Sequence, residues 1–235
     1  MSSWSLLLPR DIRNKISSYL DQYNSYYPVI NYKKYLIKYY ANINDNNNVI
    51  KYMINLKVLH CGYINFIDEN LIYLTNLQVL YCGYNYDLTD DGLKHLPNLR
   101  ELYCWDNNIL TDKGLSYLIN LQKLVCEHNT NFTDDGLKHL PNLQELHCWH
   151  NINFTDNGLN YLTNLQVLEC WDNINFTDEG IKQLINLQKL NCGYNTNFTD
   201  EGLSYLINLQ KLVCGYNTNF TDEGLKHLPY LKISK

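Results

Sequence analysis

Eight cysteines recur along this chain at one interval. Cys61, Cys82, Cys104, Cys126, Cys148, Cys170, Cys192 and Cys214 are 21 residues apart once and 22 residues apart six times in succession. An interval that regular requires a structural unit of that length stacked on copies of itself, since a unit so short cannot bury a core alone. Aligned on the cysteine, the copies share LxxLxCxxN, then Phe or Leu three residues later, then TDxGLxxL. One copy supplies Leu121, Leu124, Cys126, Asn129, Phe132, Thr133, Asp134, Gly136, Leu137 and Leu140.

Each part of the pattern carries a local instruction. In LxC the flanking side chains point the same way on a strand, so Leu124 and Cys126 face inward while Lys123, Val125 and Glu127 face out. An asparagine follows the cysteine by three residues in seven of the eight copies (Asn85, Asn107, Asn129, Asn151, Asn173, Asn195 and Asn217). A buried amide there satisfies backbone groups where the chain leaves the strand. All six phenylalanines occupy one repeat position (Phe66, Phe132, Phe154, Phe176, Phe198 and Phe220), with Leu88 and Leu110 in the other two copies.

TDxGL reads as a helix start, with Thr capping exposed N–H groups and acidic residues at the positive end. Pro97, Pro141 and Pro229 follow Gly by only five residues, which limits each helix to about two turns. The pattern is that of leucine-rich repeats with cysteine in the third leucine position. It predicts an α/β solenoid over residues 46–235, with about eight 22-residue repeats, a parallel concave sheet and short convex helices. Ile50, Met53 and Leu56 match the phase of the helical segment and place such a neighbour before the first strand. The final copy, ending LPYLKISK, supplies Leu228 and Leu231 and is expected to add no further strand.

Aligned thiols invite three chemistries, and each meets an objection. Cys126, His128, Cys148 and His150 form C-x-H twice, but zinc needs four ligands converging at about 2 Å, and the histidines lie where the chain is leaving the strand. Disulfides between adjacent strands would be strained, and a nucleophile needs one singular thiol beside a base, not eight equivalent ones. The cysteines are expected to be small apolar fillers, with no metal, no cofactor and no catalytic residue.

Composition excludes more. A hydrophobic fraction of 45% against 18% charged indicates a folded chain. Residues 1–45 carry six Lys/Arg against three Asp/Glu and the rest 13 against 21, which argues against a nucleic-acid partner for the larger part. No apolar run approaches the roughly 18–20 residues of a membrane span. SWSLLL is too short for a secretory core, so a cytoplasmic location, or the cytoplasm or nucleus of a host cell, is expected. The Asn-Phe-Thr triplets beginning at Asn131, Asn153, Asn175, Asn197 and Asn219 are then by-products of the repeat.

Positions that vary between copies are free to carry function. The residue before each cysteine runs His60, Tyr81, Tyr103, Val125, His147, Glu169, Asn191, Val213, and the residue after it runs Gly62, Gly83, Trp105, Glu127, Trp149, Trp171, Gly193, Gly215. Tyr63, Tyr84, Tyr194 and Tyr216 follow the glycines, extending an aromatic band. Trp and Tyr are typical hot spots, so a protein partner is expected on the concave face at Tyr81, Tyr103, Trp105, His147, Trp149, Glu169 and Trp171. The charges at Glu101, Lys123, Glu145, Lys189 and Lys211 would select it. The alternative is that the rings pack on one another between repeats and shield the sheet.

Residues 1–45 do not repeat. LLLPRDIRNKISSYL sets Pro9 where a first helical turn tolerates it and places Ile12, Ile16, Tyr19 and Leu20 on one face. This stretch resembles the opening of an F-box, and TDxGL within leucine-rich repeats is similar to the repeats of F-box/leucine-rich repeat proteins. The resemblance implies that Leu8, Pro9, Ile12, Ile16 and Leu20 contact a Skp-type adaptor of a cullin ubiquitin ligase while the solenoid holds a substrate. After Leu20 the chain departs from the F-box pattern, lacking its later Val and Trp landmarks. The competing expectation is a stand-alone interaction solenoid that sequesters a partner protein, its N-terminal helices serving only as a cap.

Overall fold

The computed structural model describes residues 50–233 other than 52, 63–65 and 218. The helical module expected over 1–45, its boundary with the solenoid, the side chains of Leu8, Pro9, Ile12, Ile16 and Leu20, and Tyr63 lie outside the described residues.

Among the described residues nine strands form one parallel sheet in chain order. They are β1 (Val58–His60), β2 (Val79–Tyr81), β3 (Glu101–Tyr103), β4 (Lys123–Val125), β5 (Glu145–His147), β6 (Val167–Glu169), β7 (Lys189–Asn191), β8 (Lys211–Val213) and β9 (Lys232–Ile233). Each of the first eight is followed by one helix: α1 (Asp68–Leu71), α2 (Asp90–Leu93), α3 (Asp112–Ser116), α4 (Asp134–Leu137), α5 (Asp156–Leu159), α6 (Asp178–Ile181), α7 (Asp200–Ser204) and α8 (Asp222–Lys226). This is the leucine-rich repeat solenoid that the spacing predicts. The central leucines pair in register from Leu59 through Leu80, Leu102, Leu124, Leu146, Leu168 and Leu190 to Leu212. They line the interior beside seven fully or almost fully covered cysteines and a column of buried phenylalanines.

Two expectations need correction. The last copy does add a strand: β9 pairs with β8, Lys232 opposite Lys211 and Ile233 opposite Leu212, because KI falls in phase with KL. The helices span four or five residues, one turn and not two. Leu93, Leu96 and Leu99 recur every third residue and all are buried, a period that a 3.6-residue helix cannot keep on one face but a tighter turn can. The chain accordingly continues in three-residue turns, Leu96 N–H donating to Leu93 O (3.0 Å) and Leu99 N–H to Leu96 O (3.1 Å). The same turns join Ile50, Met53 and Leu56 ahead of β1.

Helices this short are unstable alone, and ladders between repeats hold them. Thr133 caps α4 by accepting from the Asp135 amide, and the equivalent threonine caps α2 through α8. The Asp after each threonine then serves the following repeat. Asp134 accepts the Thr155 amide (2.8 Å) and the Thr155 hydroxyl (2.6 Å). The same pair of bonds recurs from Asp68–Thr89 to Asp200–Thr221. The glycine of TDxG gives this carboxylate room: a Cβ on Gly136 would lie 2.4 Å from Asp112 Oδ1.

Asparagine supplies three further ladders, the third through the Asn-Phe-Thr triplets, where Asn131 Nδ2 donates to Asn108 O and Asn153 Nδ2 to Thr130 O. Asn85 donates to the Cys61 and Phe66 carbonyls (3.0 and 3.1 Å) and accepts from the Asp87 and Leu88 amides (2.9 and 3.0 Å). The other residues of that column repeat much of the arrangement, though Asn151 Nδ2 is buried without a hydrogen bond. A second column, which the sequence analysis did not single out, runs along the NLQ segments. There Asn142 Nδ2 donates to Ile119 O (3.0 Å) and Asn164 Nδ2 to Pro141 O (2.9 Å).

Candidate functional site: the concave face

The ladders leave one surface free to vary, the outward side of the strands and the rim beyond them. At the rim the chain takes an unusual turn. Tyr84, Asp106, His128, His150, Asp172, Tyr194 and Tyr216 are all left-handed, with φ between 52° and 65°, a conformation costing a non-glycine residue roughly 1–2 kcal/mol. Six of them, Tyr84 through Tyr194, use their amide to add one more rung to the sheet, as when His128 N–H donates to Trp149 O (3.0 Å). The turn also fixes where the preceding Trp, Glu or Gly leaves the strand.

The aromatic band is divided. In the first part His60, Tyr81 and Tyr103 stack face to face at 4.0 and 4.1 Å, and Tyr103 meets the edge of Trp105 at 6.4 Å. In the second, Trp149 lies 6.0 Å from Trp171. Trp171 meets His150 and Tyr194 edge-on, each at 5.0 Å, and Tyr194 stacks on Tyr216 at 4.4 Å. Between the two parts stand Val125 and Glu127 on β4 and its rim. Trp105 and Trp171 both lie over glycine: a Cβ on Gly83 would fall 2.5 Å from Trp105, and one on Gly193 2.5 Å from Trp171. The glycines and tryptophans of this row therefore belong together, each indole filling the space a missing side chain leaves.

All three of these tryptophans are half-buried, and Val125, expected to face solvent, is only 7% exposed. Val125 does point out of the sheet, but its neighbours in register are Tyr103 and His147, whose larger side chains cover it. The packing of ring on ring that the alternative reading expected is thus present. It coexists with a charged centre: Lys123 pairs with Glu145 at 2.7 Å and stands over the Tyr103 ring at 5.6 Å. His147 lies between two carboxylates, Nδ1 3.5 Å from Glu169 and Nε2 3.7 Å from Glu145, the latter beyond hydrogen-bonding reach.

Burial shapes the titration of these groups. It pushes His147 below the ordinary histidine value despite the opposing pull of Glu169 and Glu145. It raises Glu127, with the charge of Glu169 adding to the effect. It also raises Tyr103, which stays protonated and donates to Glu101 at 2.9 Å. Four buried side-chain polar atoms lack a hydrogen bond among the described residues, and three belong to this face: His147 Nε2, Trp149 Nε1 and Asn191 Oδ1.

The thiols sit on the other side of the sheet. Cys61 through Cys192 have no exposed surface, burial pushes Cys61 up to about 12, and Cys126 Sγ lies 3.6 Å from the His147 carbonyl as a weak donor. Such thiols resist forming the thiolate that nucleophiles and metal ligands require. The imidazoles of the C-x-H pairs part from them, His128 stacking on His150 at 4.6 Å and His150 Nδ1 meeting Asp172 at 2.9 Å. Among the described residues no three of His, Cys, Asp and Glu gather as a metal would need, and no helix is long and apolar enough to cross a membrane. The His128–His150 contact is one that sequence spacing alone can find, since the two residues hold the same position in adjacent repeats, 22 residues apart.

Fold and surface together define a repeat scaffold with a variable concave face. The family described as Leucine Rich repeats (2 copies) matches residues 75–117. No curated protein matches the chain. Among solved structures, the TLR13–ssRNA13 complex is similar at TM-score 0.63 and 22% identity, covering 79% of this chain and 29% of that one. An internalin, inlF, of Listeria monocytogenes is similar at 0.63 and 23%, covering 80% and 57%. A chain in the octameric complex of Latrophilin 3, Unc5D and FLRT2 is similar at 0.50 and 16%, covering 76% and 74%. The chain thus spans 29% and 57% of the first two, less than two thirds of either, and at these identities the likeness is one of fold.

Proposed function

We propose that the chain is a non-catalytic protein-binding scaffold whose concave face, centred on β5 to β7, holds a partner polypeptide. The half-buried indoles of Trp105, Trp149 and Trp171 along a concave face whose residues vary between repeats carry this reading, because such rings are the side chains that contribute most to interfaces. The charged centre of Lys123, Glu145 and Glu169 beside them adds groups that can select a partner. Cross-linking in cells, followed by identification of proteins lost when Trp105, Trp149 and Trp171 are each changed to Ala, tests it. If no cross-linked protein depends on those rings in a folded variant, the concave face is not the binding surface.

The finer proposal is that this scaffold is the substrate receptor of a cullin ubiquitin ligase. It is supported by the resemblance of LPRDIRNKISSYL to an F-box, with Leu8, Pro9, Ile12, Ile16 and Leu20 as the adaptor contacts. Co-purification with a Skp-type adaptor, lost when Pro9 and Ile12 become Asp, is the expected result. Retention of the adaptor by that variant, or its absence from the wild-type complex, sinks the ligase assignment and leaves the stand-alone solenoid.

A further inference from the structure

The interruption of the aromatic row is a place with its own chemistry. Glu127 occupies the rim position between Trp105 and Trp149, one strand from each. Adjacent strands are about 4.8 Å apart, so the positions of both tryptophans flank it. Trp105 lies over Gly83, on the side away from Glu127, and no ring contact joins Trp105 to Trp149 among the described residues, so the space above the carboxylate is not closed by indole. The Glu127 carboxylate is half-buried and has neither a hydrogen bond nor an ion pair among the described residues, whereas Glu145 is held by Lys123. The other groups around it are Asp106, His128, His150 and Glu169. His150 is already engaged by Asp172, and Glu169, two strands away, by His147. The lysines of the sheet stand elsewhere, on the first residue of β4, β7, β8 and β9.

An unpaired carboxylate at a gap in a row of indoles is complementary to a cation that is flat or has apolar flanks. A guanidinium or ammonium there gains a charge-assisted hydrogen bond, and its apolar stem can pack along the neighbouring row of rings. We infer that Glu127, between Trp105 and Trp149, receives an arginine or lysine side chain of the bound polypeptide. The inference rests on the protein-binding reading above and specifies the partner's chemistry at one point: a basic residue central to the segment that crosses β3 to β5. A nucleic-acid strand does not fit the same place, since its phosphates would meet Glu127, Glu169 and Asp106.

The test is selection of peptides from a random displayed library on the immobilised full chain, followed by affinity measurement of the selected peptides on wild type, Glu127→Gln and Trp149→Ala. Glu127→Gln keeps shape and removes charge; its melting temperature, measured alongside, confirms that it folds. The expected result is peptides with a recurring Arg or Lys whose affinity falls about tenfold or more on Glu127→Gln, and falls no further when their basic residue is also replaced by Gln. Peptides that depend on Trp149 but bind Glu127→Gln as tightly as wild type overturn the basic-residue assignment and leave the binding face standing. Recovery of no peptide sensitive to either substitution overturns both.

Discussion

Cys126 and Glu127 are neighbours in sequence and belong to opposite regimes. Cys126 lies in a column where every copy repeats the same residue, where the side chain is fully buried, and where copies of itself lie on the strands to either side. Glu127 lies in a row where the copies read Gly, Trp or Glu, where burial is partial and where the hydrogen-bonding capacity is unspent. The difference teaches where stability and recognition are divided in this molecule. The interior columns satisfy one another, each repeat completing the last, while the concave rows leave atoms for something else to complete.

The largest expected effect strikes the interior. Phe154 is wholly buried in the phenylalanine column between Phe132 and Phe176, so Phe154→Ala should cost about 3–5 kcal/mol, read from the denaturant midpoint. If it costs no more than the loss of a concave-face tryptophan, the division between interior and surface is wrong.

Next comes the polar ladder that joins repeats. Asp134→Ala strips the acceptor from both the Thr155 amide and hydroxyl, and leaving such groups unpaired should cost about 1–3 kcal/mol. Asp134→Asn keeps an oxygen for the amide and should recover part of the loss. An Asp134→Ala protein as stable as wild type would mean that water replaces the carboxylate and that the helices are held by leucine packing alone.

A smaller cost is expected on the concave face. Trp171→Ala removes edge contacts to His150 and Tyr194 and uncovers Gly193. At about 0.5–1.5 kcal/mol for each aromatic pair, thermal unfolding should show a modest drop together with loss of any bound partner. A loss as large as that of Phe154→Ala would make these rings structural, as the shielding alternative holds.

The same division explains what could be read from the sequence. The solenoid, the inward Leu–Cys pair, the asparagine ladder and the threonine caps were legible because repetition shows the same environment eight times over. The second role of Asp134 was not, since an acid at a helix start already has a sufficient local reason, and only the stacking of repeats brings Thr155 to it. Proline predicts helices of two turns, but the three-residue leucine period ends them after one. On the concave face the residue identities were legible but their grouping was not. Gly83 and Trp105 are 22 residues apart, and that an indole lies over the glycine follows from the side the ring takes, which no spacing reveals. The Leu8–Leu20 motif lies outside the described residues and rests on resemblance alone.

The smallest effect concerns pH and is carried by one residue. Burial holds His147 below the ordinary histidine value of about 6.5, so between that value and its folded pKa the unfolded chain binds more protons than the folded one. Stability therefore rises with pH across this window and is lost as pH falls below about 6.5. The groups facing His147 pull in both directions: Glu169 and Glu145 favour the imidazolium and Lys123 opposes it. The net effect is consequently modest. His147→Gln removes the titration, so the fall in melting temperature between about pH 7.5 and 5.5 should be shallower in the variant than in wild type. A steeper fall in the variant would show that Glu145 and Glu169 stabilise the charged ring and that this face tightens in acid. The concave centre would then be a completed ion cluster, and not the unfinished surface on which a partner is proposed to dock.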